Sequence, residues 1–299
     1  MEKVGERIYM IDTKALGEEK TVAAYLIKDE KTALTEVGYA SSLNNLLEGL
    51  REAGVSPSGL SYIVLTHIHL DHAGAAGKIA EIAPNALIYV HPRGAPHLIN
   101  PEKLVKSVRD VYGEFAERLG GVTPIPPDRI VEASDGEEIN LGSTTLRLVH
   151  APGHAPHHMV IYDIEERALF SGDALPMKFP DFPLTVPTTP PPSYLHELTI
   201  NTIRKLSKLD GRVVMKPHYG PSPWSEEFFE EQVRVLEEWR KLTLKIVGEG
   251  VENPYERVFE EFADKAGEPI PEHVKRDLKI SFDGMRMYFE RIGVVSTRR

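Results

Sequence analysis

The stretch Thr66-His67-Ile68-His69-Leu70-Asp71-His72-Ala73-Gly74 constrains this chain more than any other. Three histidines and one aspartate able to bind a metal fall within six positions. The apolar run Tyr62 to Leu65 leads in and reads as a buried strand. Small residues from Ala73 to Gly77 follow, where a helix can begin. The metal-capable side chains therefore belong at the C-terminal mouth of a strand, where open α/β sheets place their sites. His67 and His69 are two positions apart, so an extended chain points them the same way. Imidazole nitrogen and carboxylate oxygen suit a borderline cation such as Zn²⁺, and also iron or manganese. A polar surface loop would have to gather these residues by chance.

The chain of 299 residues has no cysteine, so disulfides, a thiol nucleophile and thiolate ligands are excluded. Every metal ligand must be His, Asp or Glu. The net charge of −10 and the scattered Lys and Arg argue against a nucleic-acid or anionic-membrane partner. Met1 to Tyr9 alternates charges and does not read as a signal peptide, and no apolar run reaches the length of a membrane span. The expectation is a cytoplasmic protein acting on a small molecule, with its oligomeric state open.

Strands are expected at Arg7–Ile11, Val22–Ile27, Lys31–Val37 and Ala86–Val90, with helices bearing Leu43, Leu46, Leu47 and Leu50 and over Ala75–Ala83. This alternation marks an α/β layered fold. A helix is expected over Glu102–Leu119, then short strands at 130–131, 145–149, 159–162, 168–170 and 212–215. Pro176 to Ser193 holds seven prolines and cannot be a regular helix or central strand. Because it directly follows Asp173 and carries Phe179, Phe182 and Leu184, it is expected to form a wall of the site. Ser193 is expected to cap a helix running to Leu209. Two apolar stripes at helical spacing follow, Phe229, Val233, Leu236, Trp239, Leu242, Ile246 and Val274, Leu278, Phe282, Met285, Phe289, Ile292. The division expected is 1–224 for the α/β domain and 225–299 for a C-terminal helical extension.

Three further segments each end or follow a strand and offer one His or Asp beside Gly or Pro: Ala151-Pro152-Gly153-His154, Phe170-Ser171-Gly172-Asp173 and Lys216-Pro217-His218-Tyr219-Gly220. With them the chain resembles the metallo-β-lactamase-fold hydrolases, in the glyoxalase-II-like and lactonase-like branch. That family's His-x-His-x-Asp-His, Pro-Gly-His, Gly-Asp and last His occur here in the family's order, between Thr66 and Gly220. The resemblance implies a four-layer αβ/βα sandwich: two mixed sheets face to face, helices outside. It implies that His67, His69 and His154 hold one metal, that Asp71, His72 and His218 hold a second, and that Asp173 bridges them. Zinc is the first expectation for the two divalent ions, iron or manganese the alternatives. Asp71 and Asp173 are then the catalytic carboxylates.

Two departures from the family pattern stand out. The acidic residue and Gly after the early strand are separated, as Glu36-Val37-Gly38, and Pro217 and Tyr219 flank the last ligand in place of glycines. Tyr219 and Tyr194 are candidate substrate-side hydroxyls, and Phe179 and Phe182 candidate substrate contacts. His158 matches a position that orients the ligands from outside. His157 reads as a surface residue with a pocket role open, and His91 lies at a strand end on the edge that carries the site.

The resemblance implies a metal-dependent hydrolase that uses a two-metal-activated water on an ester, thioester or lactone. A phosphodiesterase or nuclease would need a basic surface that this chain lacks. The alternative from another class is a diiron oxygen-binding protein or an iron-dependent oxygenase on the same fold.

Overall fold

A computed structural model of the protein describes residues 1–295. They divide into two units. The first comprises Met1–Ala151, His157–Gly172 and Asp210–Trp224; the second comprises Pro152–Pro156, Asp173–Leu209 and the chain from Ser225.

The first unit carries two mixed sheets. One runs in the order β1 (Glu2–Lys3), β2 (Ile8–Asp12), β3 (Ala23–Lys28), β4 (Thr32–Thr35), β5 (Tyr62–Val64), β6 (Leu87–Val90) and β7 (Ile130–Glu132). The pairs from β4 to β7 are parallel and the others antiparallel. The second sheet holds β8 (Glu138–Asn140), β9 (Thr145–His150), β10 (Met159–Asp163), β11 (Ala168–Phe170), β12 (Val213–Lys216) and β13 (Gly220–Pro223), with only β11 and β12 parallel. Alternation along the strands sorts their side chains into two cores. Ala24, Leu26, Leu34, Ile63 and Ile88 join Leu46, Leu50 and Ile79 on the helix-covered face. Ala23, Tyr25, Ile27, Ala33 and Val64 meet Leu146, Leu148, Met159, Ile161 and Phe170 of the other sheet.

The helices on this unit are α1 (Leu43–Glu52), α2 (Leu70–Ala73), α3 (Ala76–Ile82), α4 (Ala95–Ile99) and α5 (Glu102–Tyr112). The helix expected to reach Leu119 stops at Tyr112, because Gly113 turns left-handed at φ 56° and the chain continues as a 3₁₀ segment. Strand β13 was not anticipated, since it contains Pro221 and Pro223. It is tolerated because it pairs on one side only, with β12.

The second unit contains α6 (His196–Leu206), α7 (Glu226–Glu249), α8 (Pro254–Ala266) and α9 (Glu272–Arg291). Helix α6 starts later than expected, with Leu195 rather than Ser193 before its first turn. Helix α7 is capped by Ser225, whose hydroxyl accepts from Phe228 N at 3.0 Å. Trp239 and Ile246 of α7 and Val274, Leu278, Phe282, Met285 and Phe289 of α9 form one core. Ile292 lies past the end of α9 and is exposed.

Met177, Phe179, Phe182, Val186 and Tyr194 complete this core. Phe179 and Phe182 are 1 % and 2 % exposed, their rings packed in this helical core. By contact the second unit takes in Asp173–Leu209 as well as the chain from Ser225, and burying each ring in it contributes about 1.5–3 kcal/mol. Met177 and Val186 exchange backbone hydrogen bonds at 2.8 and 2.9 Å and close this Pro-rich segment into an ordered strap.

Candidate metal centre

The ligand loop is built at the end of β5. After Val64 the chain passes through buried Leu65, Thr66 and His67 and turns at His69 into α2, which places Asp71 and His72 in one helical turn. His72 O accepts from Val37 N at 2.8 Å, which ties that turn to the end of β4. His218 follows β12, and its Nδ1 donates to the Thr21 carbonyl at 2.8 Å. A carbonyl only accepts, so the His218 proton sits on Nδ1 and Nε2 presents its lone pair.

Glu36 has a larger role than its sequence position suggested. It is buried, at φ 57°, and its Oε1 accepts from the Thr66 hydroxyl at 2.5 Å. Thr66 Oγ1 in turn lies 3.0 Å from His67 Nδ1 and accepts from it, since its own proton is committed to Glu36. Glu36 Oε2 lies 3.2 Å from His72 Nδ1. Glu36 thus orients His67 through the Thr66 hydroxyl, as the outer partners of metal-bound histidines do, and sets its second carboxylate oxygen close to His72. The signal in sequence is an acid directly after a strand, at the position where the chain departs from the family pattern.

The inward atoms have the spacing of a coordination polyhedron. Asp71 Oδ2 is 3.3 Å from His72 Nε2 and 3.4 Å from His218 Nε2, and the two imidazole nitrogens are 3.4 Å apart. Ligands about 2.0–2.2 Å from an ion in tetrahedral array are about 3.3–3.6 Å from one another. His67 Nε2 and His69 Nδ1 are 3.0 Å apart. Burial opposes charge on Asp71, but in their protonated form the His72 and His218 imidazoles outweigh it and hold its carboxyl well below the usual carboxylate range.

His154 and Asp173 lie in the second unit, on turns that need glycine. A Cβ on Gly153, at φ 138°, would run into the backbone of Thr199 on α6, and Leu195 N donates to Gly153 O at 2.8 Å. Gly172, at φ 46°, leaves no room for a Cβ beside Thr66 and His158. His154 Nε2 lies 3.5 Å from Asp173 Oδ2. His67, His69, His154 and Asp173 are one group that could hold a metal ion, and Asp71, His72, Asp173 and His218 another. The donor set is nitrogen and carboxylate oxygen, and it fits divalent metal ions.

The remaining candidates divide. His158 is buried with its ring centroid 4.9 Å from that of His67. His157 is half-buried, its ring stacked 6.3 Å from His67 and edge-on to His69 at 5.7 Å. Tyr219 packs against the core between the sheets, and burial pushes its phenol up. Tyr194 is fully buried in the helical core, its hydroxyl 3.1 Å from His196 Nδ1. His91 stacks on His150 at 4.2 Å, and burial beside that ring lowers it to about 4.

Residues 17–218, more than half of the chain, match the family model of the metallo-beta-lactamase superfamily. The chain belongs to this superfamily. Its two mixed sheets, flanking helices and added C-terminal helices are the expected metallo-β-lactamase fold. The metallo-beta-lactamase fold-containing protein ST1585 of Sulfurisphaera tokodaii is 31 % identical over 181 residues, 56 % of this chain and 67 % of that one. The crystal structure of ST1585 superposes with a TM-score of 0.68 over 93 % of this chain and 98 % of that chain, at 23 % identity. Two superfamily relatives have hydrolase names. A hydroxyacylglutathione hydrolase of Francisella tularensis subsp. novicida is 29 % identical over 55 % of this chain and 50 % of its own length. The acyl-coenzyme A thioesterase MBLAC2 of Gallus gallus is 27 % identical over 58 % of this chain and 64 % of its own. The chain thus spans half to two thirds of these relatives. Among the described residues no helix is long and apolar enough to cross a membrane.

Proposed function

We propose that the protein is a metal-dependent hydrolase of an ester, thioester or lactone in a small molecule. His67, His69 and His154 would hold one divalent ion, Asp71, His72 and His218 a second, and Asp173 would serve both. The observation that carries this reading is the mutual 3.3–3.4 Å spacing of the facing ligand atoms of Asp71, His72 and His218. The two relatives with hydrolase names support the reaction type. Bound divalent ions supply Lewis acidity toward a carbonyl and lower the pKa of water.

The chain's own residues prepare that chemistry. Glu36, through Thr66, and the Thr21 carbonyl fix the ring proton on Nδ1 of His67 and of His218. Asp71 stays ionised at neutral pH and offsets part of the positive charge of a paired site. The net charge of −10 fits a small substrate better than a nucleic acid. The test is a panel of ester, thioester, lactone and phosphodiester substrates, run with zinc, manganese and iron after metal removal. Turnover of an acyl substrate that vanishes with chelation and returns with metal supports the reading. Colour in air-purified protein, with no turnover on the panel, would give the lead to the diiron or oxygenase alternative.

A further inference from the structure

The Pro-rich strap carries two adjacent threonines whose side chains turn to different tasks. Thr188 is buried, and its Oγ1 lies 3.2 Å from His154 Nδ1 and 3.4 Å from Asp173 Oδ2. A hydroxyl has one proton to give and lone pairs to receive. The carboxylate only accepts, so Thr188 donates to Asp173 and receives from His154. The Thr188 carbonyl, 3.4 Å from the same Nδ1, requires the same proton position. His154 Nε2 and Asp173 Oδ2 then both present lone pairs, the pairing that a cation uses.

Thr189 faces the helices. Its hydroxyl donates to Ser281 O at 2.7 Å and receives from Trp239 Nε1 at 3.0 Å. Its N–H donates to Ser281 Oγ at 3.3 Å, and Ser281 Oγ–H donates to Pro187 O at 2.7 Å. Thr189, Ser281 and Trp239 are all buried. Gly284, one turn beyond Ser281, lets α9 come this close, since a Cβ there would meet Thr189 O and the backbone of Pro190. Buried, mutually satisfied polar groups of this kind fix one arrangement.

We infer that Thr188 is a positioning residue that sets the His154–Asp173 pair for a divalent ion, and that α7 and α9 hold it there through Thr189. The inference rests on the metal-centre reading above. It gives the C-terminal helices a part in metal affinity without any contact to substrate.

The test titrates metal-stripped full-length protein with Zn²⁺ against a chromophoric chelator, with far-ultraviolet circular dichroism as the fold control. Thr188→Val keeps the shape and removes the hydroxyl, and should weaken Zn²⁺ binding about 10–100-fold. Thr188→Ser should restore affinity close to wild type. Ser281→Ala, remote from the ligands, should weaken binding by a smaller factor. Wild-type affinity in Thr188→Val overturns the inference, as does equal weakening in Val and Ser, which would point to methyl packing. If Thr188→Val does not fold, Ser281→Ala decides, and unchanged affinity there overturns the clamp. Failure of the wild-type protein to bind Zn²⁺ would overturn the metal-centre reading and this inference together. Zn²⁺ binding in wild type with no change in the variants would overturn this inference alone.

Discussion

The ligand loop and the Pro-rich strap position ligands by different means. In the loop, four candidate ligands sit within six residues, and the strand β5 and the turn α2 aim them with help from Glu36. In the second unit, His154 and Asp173 stand singly, 19 residues apart (173 − 154), each beside a glycine forced by tertiary contact. Their common partner, Thr188, is anchored to helices nearly a hundred residues downstream, Thr189 bonding to Ser281. Local geometry makes the first set; long-range packing makes the second. Damage to the helical core should therefore reach His154 and Asp173 before it reaches the loop.

The largest effect is expected at Asp173. Asp173→Asn keeps the shape but removes the charge shared by both ligand groups, so kcat should fall by orders of magnitude and metal per chain should drop by about one. Two metals per chain and wild-type turnover in this variant would remove Asp173 from the centre.

Next comes the helical core. Phe282→Ala should cost about 3–5 kcal/mol in the unfolding of the second unit. Each unit holds one of the two tryptophans, Trp224 in the first and Trp239 in the second, so Trp224→Phe isolates the helical signal and Trp239→Phe the other. If both signals shift equally with Phe282→Ala, the two regions unfold as one cooperative body and the contrast drawn above fails.

Much of this contrast was legible in sequence, and unevenly so. The loop spells out His67, His69, Asp71 and His72 because their geometry is local. The helical stripes were legible too, since Trp239, Ile246, Leu278 and Phe282 recur at helical spacing and are buried. What could not be read was which core received Phe179 and Phe182. An apolar ring in a Pro-rich segment has no periodicity to assign it to a face. Nor could Thr188 be found, because a lone Thr among prolines carries no pattern, and its importance lies in contacts to residues distant in the chain.

A smaller effect is expected at Glu36. Glu36→Ala should weaken metal binding about 10–100-fold by freeing His67 and His72, with His154 and Asp173 left in place. Isothermal titration should show both classes of site weakened, because His67 and His72 fall in different ligand groups; unchanged binding would place the orientation of the loop elsewhere.

The smallest effect is a pH response confined to the second unit. Burial lowers the His196 imidazole below its usual 6.5, although Glu237, 3.4 Å away, works in the opposite direction. Below about 6.5 the unfolded chain takes up a proton that the folded state resists, so stability is full above that pH and is lost as pH falls toward the lowered folded value. The Trp239 transition should move to lower temperature on acidification, and His196→Gln should flatten that slope. An unchanged slope in His196→Gln would place the acid sensitivity elsewhere.

The helical core is assembled from chain segments that a ribosome delivers far apart in time. Phe179 and Phe182 are made roughly a hundred residues before Phe282 and Met285, on the order of 5–20 s at ordinary elongation rates. Throughout that interval the strap has its prolines but not its helices, and its aromatic rings are exposed to chaperones, to proteases and to other nascent chains. The loop has no such wait, because β4, β5, β6 and Glu36 all precede or closely follow it. A nascent chain exposed as far as Trp224 would therefore show ordered sheets while its strap is still open to digestion, and protection of Phe179 and Phe182 would mark the moment α9 is complete.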